Sequence, residues 1–399
     1  MELRKAYEIC TQKAKLHMQV KEDILYECKE CKDGKYEKRG GHLSGYWNWL
    51  TSCAVGMMPI MAEVNRDVDA LEFAKSLKKY YQDKVNRYPV ETTHDIGFLY
   101  LPYSVYMYEL TGDPEHRECA LKAADALAKR FFINGRFIEA WRSVDGLPRH
   151  GTTVIDSSTG EGWLIIDSMM NVPLLLWAWK ESGYLQYREI AEAHIRTCIK
   201  TLVREDYSVC HAFMLDTQGI NAGYERNSCG YANGSHWARG TAWMVYGLVA
   251  AYRYTQKEEY LDLAEKIGNK FIDCLTEEDY IPVWDFRLPE DKPAKCRGKS
   301  ETCEWDESIP QNKKYNRDTS AAATMSCAFI AFNRVRENRC LAEAADKMLY
   351  SLTENYLNCD TEIPGMLRCS NGSNGYTIYG DYYYFAALAM KVYGIKGCW

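Results

Sequence analysis

The chain has no seam. No Pro/Gly/Ser-rich linker or low-complexity stretch interrupts its 399 residues, although that length alone admits two or three domains, so residues 1–399 read as one domain. Basic runs are also missing. A net charge of −6 without a cationic cluster argues against nucleic acid as a partner. Every apolar stretch falls short of the roughly 18 uncharged residues that mark a membrane span, and MELRKAYEICTQ lacks the apolar core and cleavage site of a secretory signal. The expectation is a cytoplasmic protein with no membrane partner. A second Cys-x-x-Cys is absent as well. Sixteen cysteines are scattered from Cys10 to Cys398, and only Cys28 and Cys31, beside His42, have metal-like spacing. A structural zinc needs four ligands, so the economical reading is reduced thiols serving as small hydrophobes, Cys53, Cys198 and Cys327 among them. A zinc at Cys28 and Cys31 stays the alternative. No metal and no organic cofactor is expected, and nothing chooses between monomer and dimer.

What the chain has is repetition. Six polar or aromatic residues each open a nearly unbroken apolar run: Trp47, Asp95, Asp167, Arg239, Asp318 and Asp381, at intervals of roughly 50 to 80 residues. A helix that is apolar all round must be buried. After each of the first five runs comes a turn and a charged amphipathic segment, with an alanine at the matching place: Ala74, Ala120, Ala191, Ala264 and Ala344. Inner helix, turn and outer helix make an αα-hairpin, and recurrence at this period marks a repeat architecture. LRKAYEICTQKAKLHMQV near the N-terminus has the pattern of the sixth outer helix. The predicted fold is all-α, a six-hairpin (α/α) barrel or toroid with the inner-helix N-termini meeting at one mouth. An open helical solenoid is the alternative.

That mouth would gather chemistry. An aspartate that opens a helix is ordinarily an N-cap, and capping or core hydrogen bonding suits Asp318 and Asp381. Asp95 and Asp167 open neighbouring inner helices, so their carboxylates would approach within several ångströms, as an acid and base pair for glycosyl chemistry requires. The chain carries 11 Trp and 30 Tyr. Trp47, Trp237 and Trp243 lie at the openers and Trp141 in a loop between repeats, where indole faces could pack on sugar rings or simply fill core. Arg239 offers a planar fork for a carboxylate or hydroxyls, or a structural salt bridge to Asp167 or Asp318.

These residues stand in strings that carry a resemblance. THDIGFLY around Asp95, WLIIDSMMNVPLLLWA around Asp167, CHAFMLD around His211, GSHWARGTAW around Arg239 and YTIYGDYYY around Asp381 resemble the unsaturated glucuronyl hydrolases of glycoside hydrolase family 88. The likeness runs from about Ser44 to Tyr393. It implies a six-hairpin α/α barrel acting on oligosaccharides that polysaccharide lyases leave with a 4,5-unsaturated uronic acid at the non-reducing end. By resemblance Asp167 is the general acid/base and Asp95 its acidic partner, while His211, Arg239, Trp47, Trp141, Trp237 and Trp243 line the sugar pocket. The implied chemistry hydrates the C4=C5 enol ether instead of attacking the anomeric carbon.

Departures fall in the pocket. Ser228 and Cys229 stand where the family often shows His-Gln, Thr241 replaces the Gln of RGQAW, and Asn227 stands where a hydroxyl residue is common. They put in doubt which hydroxyls or sulfates the substrate carries. An unsaturated rhamnogalacturonyl hydrolase acting on pectin fragments is the nearer alternative, and a non-catalytic sugar-binding toroid the more distant one.

Overall fold

The computed structural model describes residues 1–19, 36, 49–87, 93–141, 161–216, 223–227, 229–276, 278–289, 296–297, 304–305, 317–370 and 375–399. Trp47, Ser228, Cys28, Cys31 and His42 lie outside these residues, so the expectations placed on them do too.

The apolar runs are inner helices. The fourth, α12 (Ala238–Thr255), is buried without a break from Ala238 to Ala251. The fifth and sixth, α14 (Thr319–Asn333) and α16 (Ile378–Tyr393), are buried almost as completely. The first three are broken, each at or near a proline, which removes a backbone donor and crowds the preceding turn. The first is α2 (Thr51–Val55) and α3 (Met57–Asn65), with Pro59 in the second piece. The second is α6 (Ile96–Tyr100) and α7 (Tyr106–Thr111), joined by a π-helical turn that contains Pro102. The third is α9 (Ser168–Asn171) and α10 (Pro173–Ser182).

The amphipathic segments are the outer helices: α4 (Val68–Ser76) with α5 (Lys78–Arg87), then α8 (Pro114–Ala128), α11 (Leu185–Leu202), α13 (Glu258–Asp273) and α15 (Arg339–Ser351). The N-terminal α1 (Leu3–Leu16) supplies the sixth by packing on α16. Each recurring alanine is at most 1% exposed. A methyl group is all that fits where outer and inner helices touch. Inner helices contact one another in chain order, and α16 closes on α2 and α3. The ring is closed, a six-hairpin α/α toroid, and the solenoid alternative falls. Among the described residues no helix is long and apolar enough to cross a membrane.

Two buried groups hold the closure. The Lys13 ammonium donates to the carbonyls of Asp360 (2.6 Å), Ile363 (2.5 Å) and Gly365 (3.0 Å), tying α1 to the loop before α16. Trp399 packs beside Phe98, Tyr246, Tyr382 and Tyr383 and donates its indole N–H to the Met170 carbonyl at 2.7 Å.

Asp381 does not open its helix, and of the two roles expected for it, capping and core hydrogen bonding, the second holds. Thr377 caps α16 through the Gly380 N–H, and Asp381 sits one turn inside. There its carboxylate accepts Met366 N–H (2.8 Å), Leu367 N–H (2.9 Å) and the Tyr36 hydroxyl. Asp318 does cap α14, accepting Ser320 and Ala321 N–H.

Short strands stand among the helices. β1 (Phe131–Phe132) pairs with β2 (Phe137–Ile138), and β3 (Glu161–Ile165), β4 (Ala212–Asp216) and β5 (Gly223–Glu225) form an antiparallel sheet. The pair β6 (Cys296–Arg297) and β7 (Glu304–Trp305) completes the strands. WLII and HAFMLD carry the apolar, β-branched and aromatic residues that favour strands, and the sheet they build bears directly on the site.

Candidate active site

Ring neighbours bring the two acids together. Asp95 precedes α6 and Asp167 precedes α9, and neither side chain caps its own helix. Both carboxylates face the same space: an oxygen of each and a nitrogen of His94 all lie within 4.8 Å of one another. Asp95 is 6% exposed. Its Oδ1 is 3.1 Å from His94 Nε2 and 3.3 Å from Asn171 Nδ2. His94 Nδ1 accepts the Trp141 N–H at 3.4 Å, so in the neutral ring the proton sits on Nε2, close to Asp95 but not aligned to donate to it. That tautomer leaves no lone pair for a metal. The cluster is better built to fix a carboxylate than to bind an ion.

Asn171 is the brace between the two helices. Its Nδ2 donates to Asp95 and, at 2.9 Å, to the Asp167 carbonyl, while its Oδ1 accepts the Phe98 N–H at 2.8 Å. The close approach requires Gly97, where an added Cβ would stand 2.4 Å from Asn171 Cα. Nothing in DSMMNVP distinguishes this asparagine from a tolerated polar residue in an apolar run, and sequence reasoning missed it.

Asp167 gains a second partner from the sheet. Ile165 faces Ala212 across the β3–β4 ladder, and the Ile166 N–H reaches the His211 carbonyl at 2.9 Å. Continuing both strands by one residue pairs Ile166 with His211, and Asp167, the next residue, brings its Oδ2 to 3.1 Å from His211 Nε2. Ser168, next along, donates to the Ile165 carbonyl (2.5 Å) and accepts from His194 Nε2 (2.8 Å), whose Nδ1 accepts the Ile138 N–H (2.9 Å). Burial pushes His194 down to about 3, so it stays neutral and keeps this chain of bonds intact.

On the far side of His211 stands Cys229, flagged in the sequence only as a departure. Its N–H meets His211 Nδ1 at 3.1 Å and its thiol lies against the same ring. Burial opposes charge on either side chain. Even so, the thiol and the Asp167 carboxylate raise His211, and His211 together with Arg239 lowers Cys229 below the ordinary thiol range. With the imidazole neutral, Nδ1 accepts the backbone N–H.

Arg239 makes the salt bridge to Asp318, not to Asp167. Its Nη1 is 3.1 Å from Asp318 Oδ2 and 3.1 Å from Ser320 Oγ. The guanidinium lies 4.6 Å over Trp237, 5.5 Å over Trp243 and 4.6 Å over Tyr379, an aromatic enclosure that favours a delocalised cation. Trp237 and Trp243 are 1% and 2% exposed. They stand behind His211 and Arg239 and do not offer open faces. Beside these residues the partly exposed indoles are Trp141, edge-on to His94, and Trp49, stacked on Tyr379. Trp49 was overlooked beside Trp47.

Two other positions are turned inward. Asn227 shapes its own loop by donating Nδ2 to the Gly230 carbonyl (2.7 Å) and N–H to Asn233 Oδ1 (2.6 Å). Thr241 donates back to the Trp237 carbonyl at 2.9 Å. Below this loop Asp285 accepts the N–H groups of Tyr231 (3.2 Å), His236 (2.9 Å) and Arg287 (3.1 Å), fixing the backbone between Cys229 and Trp237.

Known proteins share this arrangement of chain. Residues 24–276 match Glycosyl Hydrolase Family 88. An unsaturated glucuronyl hydrolase of Bacillus sp. strain GL1 is 30% identical over 365 residues, 88% of this chain and 88% of that protein. An unsaturated chondroitin disaccharide hydrolase of Streptococcus pneumoniae is 31% identical over 322 residues, covering 77% and 72%. The crystal structure of the unsaturated glucuronyl hydrolase from Bacillus sp. GL1, responsible for glycosaminoglycan degradation, superposes with a TM-score of 0.82 at 26% identity, across 100% of this chain and 99% of that one. A family match over more than half the chain, and a relative 30% identical across most of it, make this chain a member of Glycosyl Hydrolase Family 88.

Proposed function

We propose that this chain is a glycoside hydrolase that removes a 4,5-unsaturated glucuronic acid from the non-reducing end of glycosaminoglycan-type oligosaccharides. The observation that carries the reading is the paired carboxylates of Asp95 and Asp167, within 4.8 Å at one mouth, with His211 bonded to only one of them. The relatives, unsaturated glucuronyl and unsaturated chondroitin disaccharide hydrolases, favour it over the pectin-directed alternative and over a non-catalytic toroid.

The asymmetry of the pair supports a division of labour. Asp95 is enclosed by His94 and Asn171, a setting for holding sugar hydroxyls. Asp167 is the more open of the two, its side chain 15% exposed against 8% for Asp95, and it reaches the reacting atoms. In the proposed mechanism Asp167 protonates C4 of the enol ether, and the ring oxygen shares the cation formed at C5. Asp167, now a base, takes a proton from water as the water oxygen bonds to C5. The resulting hemiketal opens by breaking the bond from C5 to the ring oxygen. The hemiacetal left at C1 then collapses to an aldehyde and releases the remaining sugar. His211 steers Asp167 throughout, and the cation of Arg239 suits the substrate's carboxylate or hydroxyls.

The ultraviolet band of the conjugated alkene-carboxylate tests this directly. Purified protein should bleach it with unsaturated chondroitin, hyaluronan or heparin disaccharides, and Asp167→Asn should lose turnover while keeping its fold and its binding of the disaccharide. A flat trace on all three substrates, with bleaching of a pectin-derived analogue, would move the activity to the alternative.

A further inference from the structure

Twelve cysteines have described side chains. Eight are buried, Cys340 and Cys359 are exposed, and Cys229 and Cys274 are partly exposed. The buried ones are out of a reagent's reach, and burial pushes the Cys274 thiol up. Cys340 and Cys359 lie on the outer helix α15 and in the loop after it. Cys229 differs in both position and partners. It belongs to a row that runs from sulfur to the His211 imidazole to the Asp167 carboxylate, and the Arg239 cation acts on the thiol against the opposing carboxylate of Asp167. A thiol beside an imidazole and a guanidinium carries the electropositive surroundings that make cysteine nucleophilic.

We infer that Cys229 is a modification site: a thiol presented at the mouth that peroxides and alkylating agents convert, and that stops turnover once converted. The second clause rests on the hydrolase reading above; the first does not. With peroxide, the thiolate sulfur attacks one oxygen, an S–O bond forms and the O–O bond breaks. The expelled hydroxide leaves as water after taking a proton. Sulfur is thereby oxidised by two electrons to a sulfenic acid, the peroxide is reduced, and an added thiol reverses the change. Cys229 is partly exposed and His211 is 2% exposed, so an atom added to the sulfur either presses on that ring and strains its bond to Asp167, or stands in the mouth and obstructs the sugar. The direction of the thiol's shift, downward despite burial, fits a reactive sulfur.

The test treats the intact protein with iodoacetamide or hydrogen peroxide, maps the modified peptides by mass, and follows residual turnover of an unsaturated disaccharide. Cys229 should be alkylated about tenfold faster than Cys340 or Cys359, as thiolate character dictates. Turnover should fall in step, excess disaccharide should protect, and dithiothreitol should restore the peroxide-treated enzyme. Cys229→Ser, whatever its own starting rate, should retain that rate under the same treatment. Labelling of Cys340 and Cys359 ahead of Cys229 would overturn the proposal. So would full turnover in protein alkylated at Cys229, or equal inactivation of Cys229→Ser. Because labelling is read by mass, the order of reaction decides the thiol's reactivity even where no unsaturated uronide is hydrated, an outcome that would sink the hydrolase reading by itself.

Discussion

Removing the Asn171 side chain should loosen the fold and the chemistry together, because one amide serves both. In Asn171→Ala the Phe98 N–H loses its 2.8 Å acceptor and keeps only the Asp95 carbonyl at 3.0 Å, at about 1 kcal/mol. The donor at 3.3 Å from Asp95 is long, and its loss adds about 1 kcal/mol. The sum is about 2 kcal/mol, and in a chain of this size each kcal/mol moves Tm by roughly 2 °C, so thermal unfolding should shift down by roughly 4 °C. Turnover should fall about 10- to 100-fold, since Asp95 then keeps only His94 to hold its carboxylate. Asn171→Asp separates the two effects. Its carboxylate still accepts the Phe98 N–H, so much of the stability returns, but it sets a third acid against Asp95 and the Asp167 carbonyl, so activity falls further than in the alanine variant. Circular dichroism melts and the ultraviolet assay on the three proteins decide the matter. A Tm within about a degree of wild type for Asn171→Ala, which would mean under roughly 1 kcal/mol, would refute the brace.

Gly97→Ala should be among the most damaging single-methyl additions in the chain. The new Cβ would meet Asn171 backbone, not a yielding side-chain tip, so a loss of about 1–3 kcal/mol or more is expected in thermal melts. Stability should fall on acidification. Burial lowers His17 and His116 to about 4 and His194 and His236 to about 3, so between an unfolded value of about 6.5 and these folded values only the unfolded chain takes up the protons. The stabilisation is whole above about pH 6.5 and is lost toward pH 4. Asp285 and Asp381, raised by burial to about 6 and about 7, and His211, raised to about 10 beside Cys229 and Asp167, act in the opposite sense, but between about pH 6.5 and 5 the four histidines outweigh these three groups. A melting temperature that rises as pH is lowered from about 6.5 to about 5 would contradict this. Trp399→Ala should cost about 3–5 kcal/mol, because the indole fills the space among Phe98, Tyr246, Tyr382 and Tyr383 and satisfies the Met170 carbonyl; a melt unchanged from wild type would show that this end of the barrel is sealed by something else.

Much of this architecture is legible in the residues. Inner helices announce themselves because a helix apolar on every side has only the core to go to, and the recurrent alanines mark where an outer helix must lie close. Acidic openers locate the mouth because helix starts converge there. Three features stayed hidden for physical reasons. WLII and HAFMLD belong to different repeats, and their pairing across dozens of residues leaves no local signature, so the apolar triplet before Asp167 reads as a helix lead-in. Asn171 works through its two-faced amide, whose partners Phe98 and Asp95 lie far away in sequence. Asp381 looks like one more helix opener, yet Thr377, four residues earlier, takes the cap and leaves the carboxylate to bind a distant loop. Even Arg239, correctly placed at the mouth, could not declare from sequence which aspartate it would pair with.

The β3–β4 ladder has a consequence for how this site can change. The juxtaposition of His211 with Asp167 is set by backbone hydrogen bonds, not by the strand side chains, so point substitutions along either strand leave the alignment alone. A single inserted or deleted residue does not, because strands alternate sides with a period of two and a slip by one turns every following side chain to the opposite face. Here that slip would aim either the imidazole or the carboxylate away from the sugar. The strands can therefore drift freely in composition while their length stays frozen, and a homologue with one residue more or fewer in either strand should be met only together with a compensating change in the other.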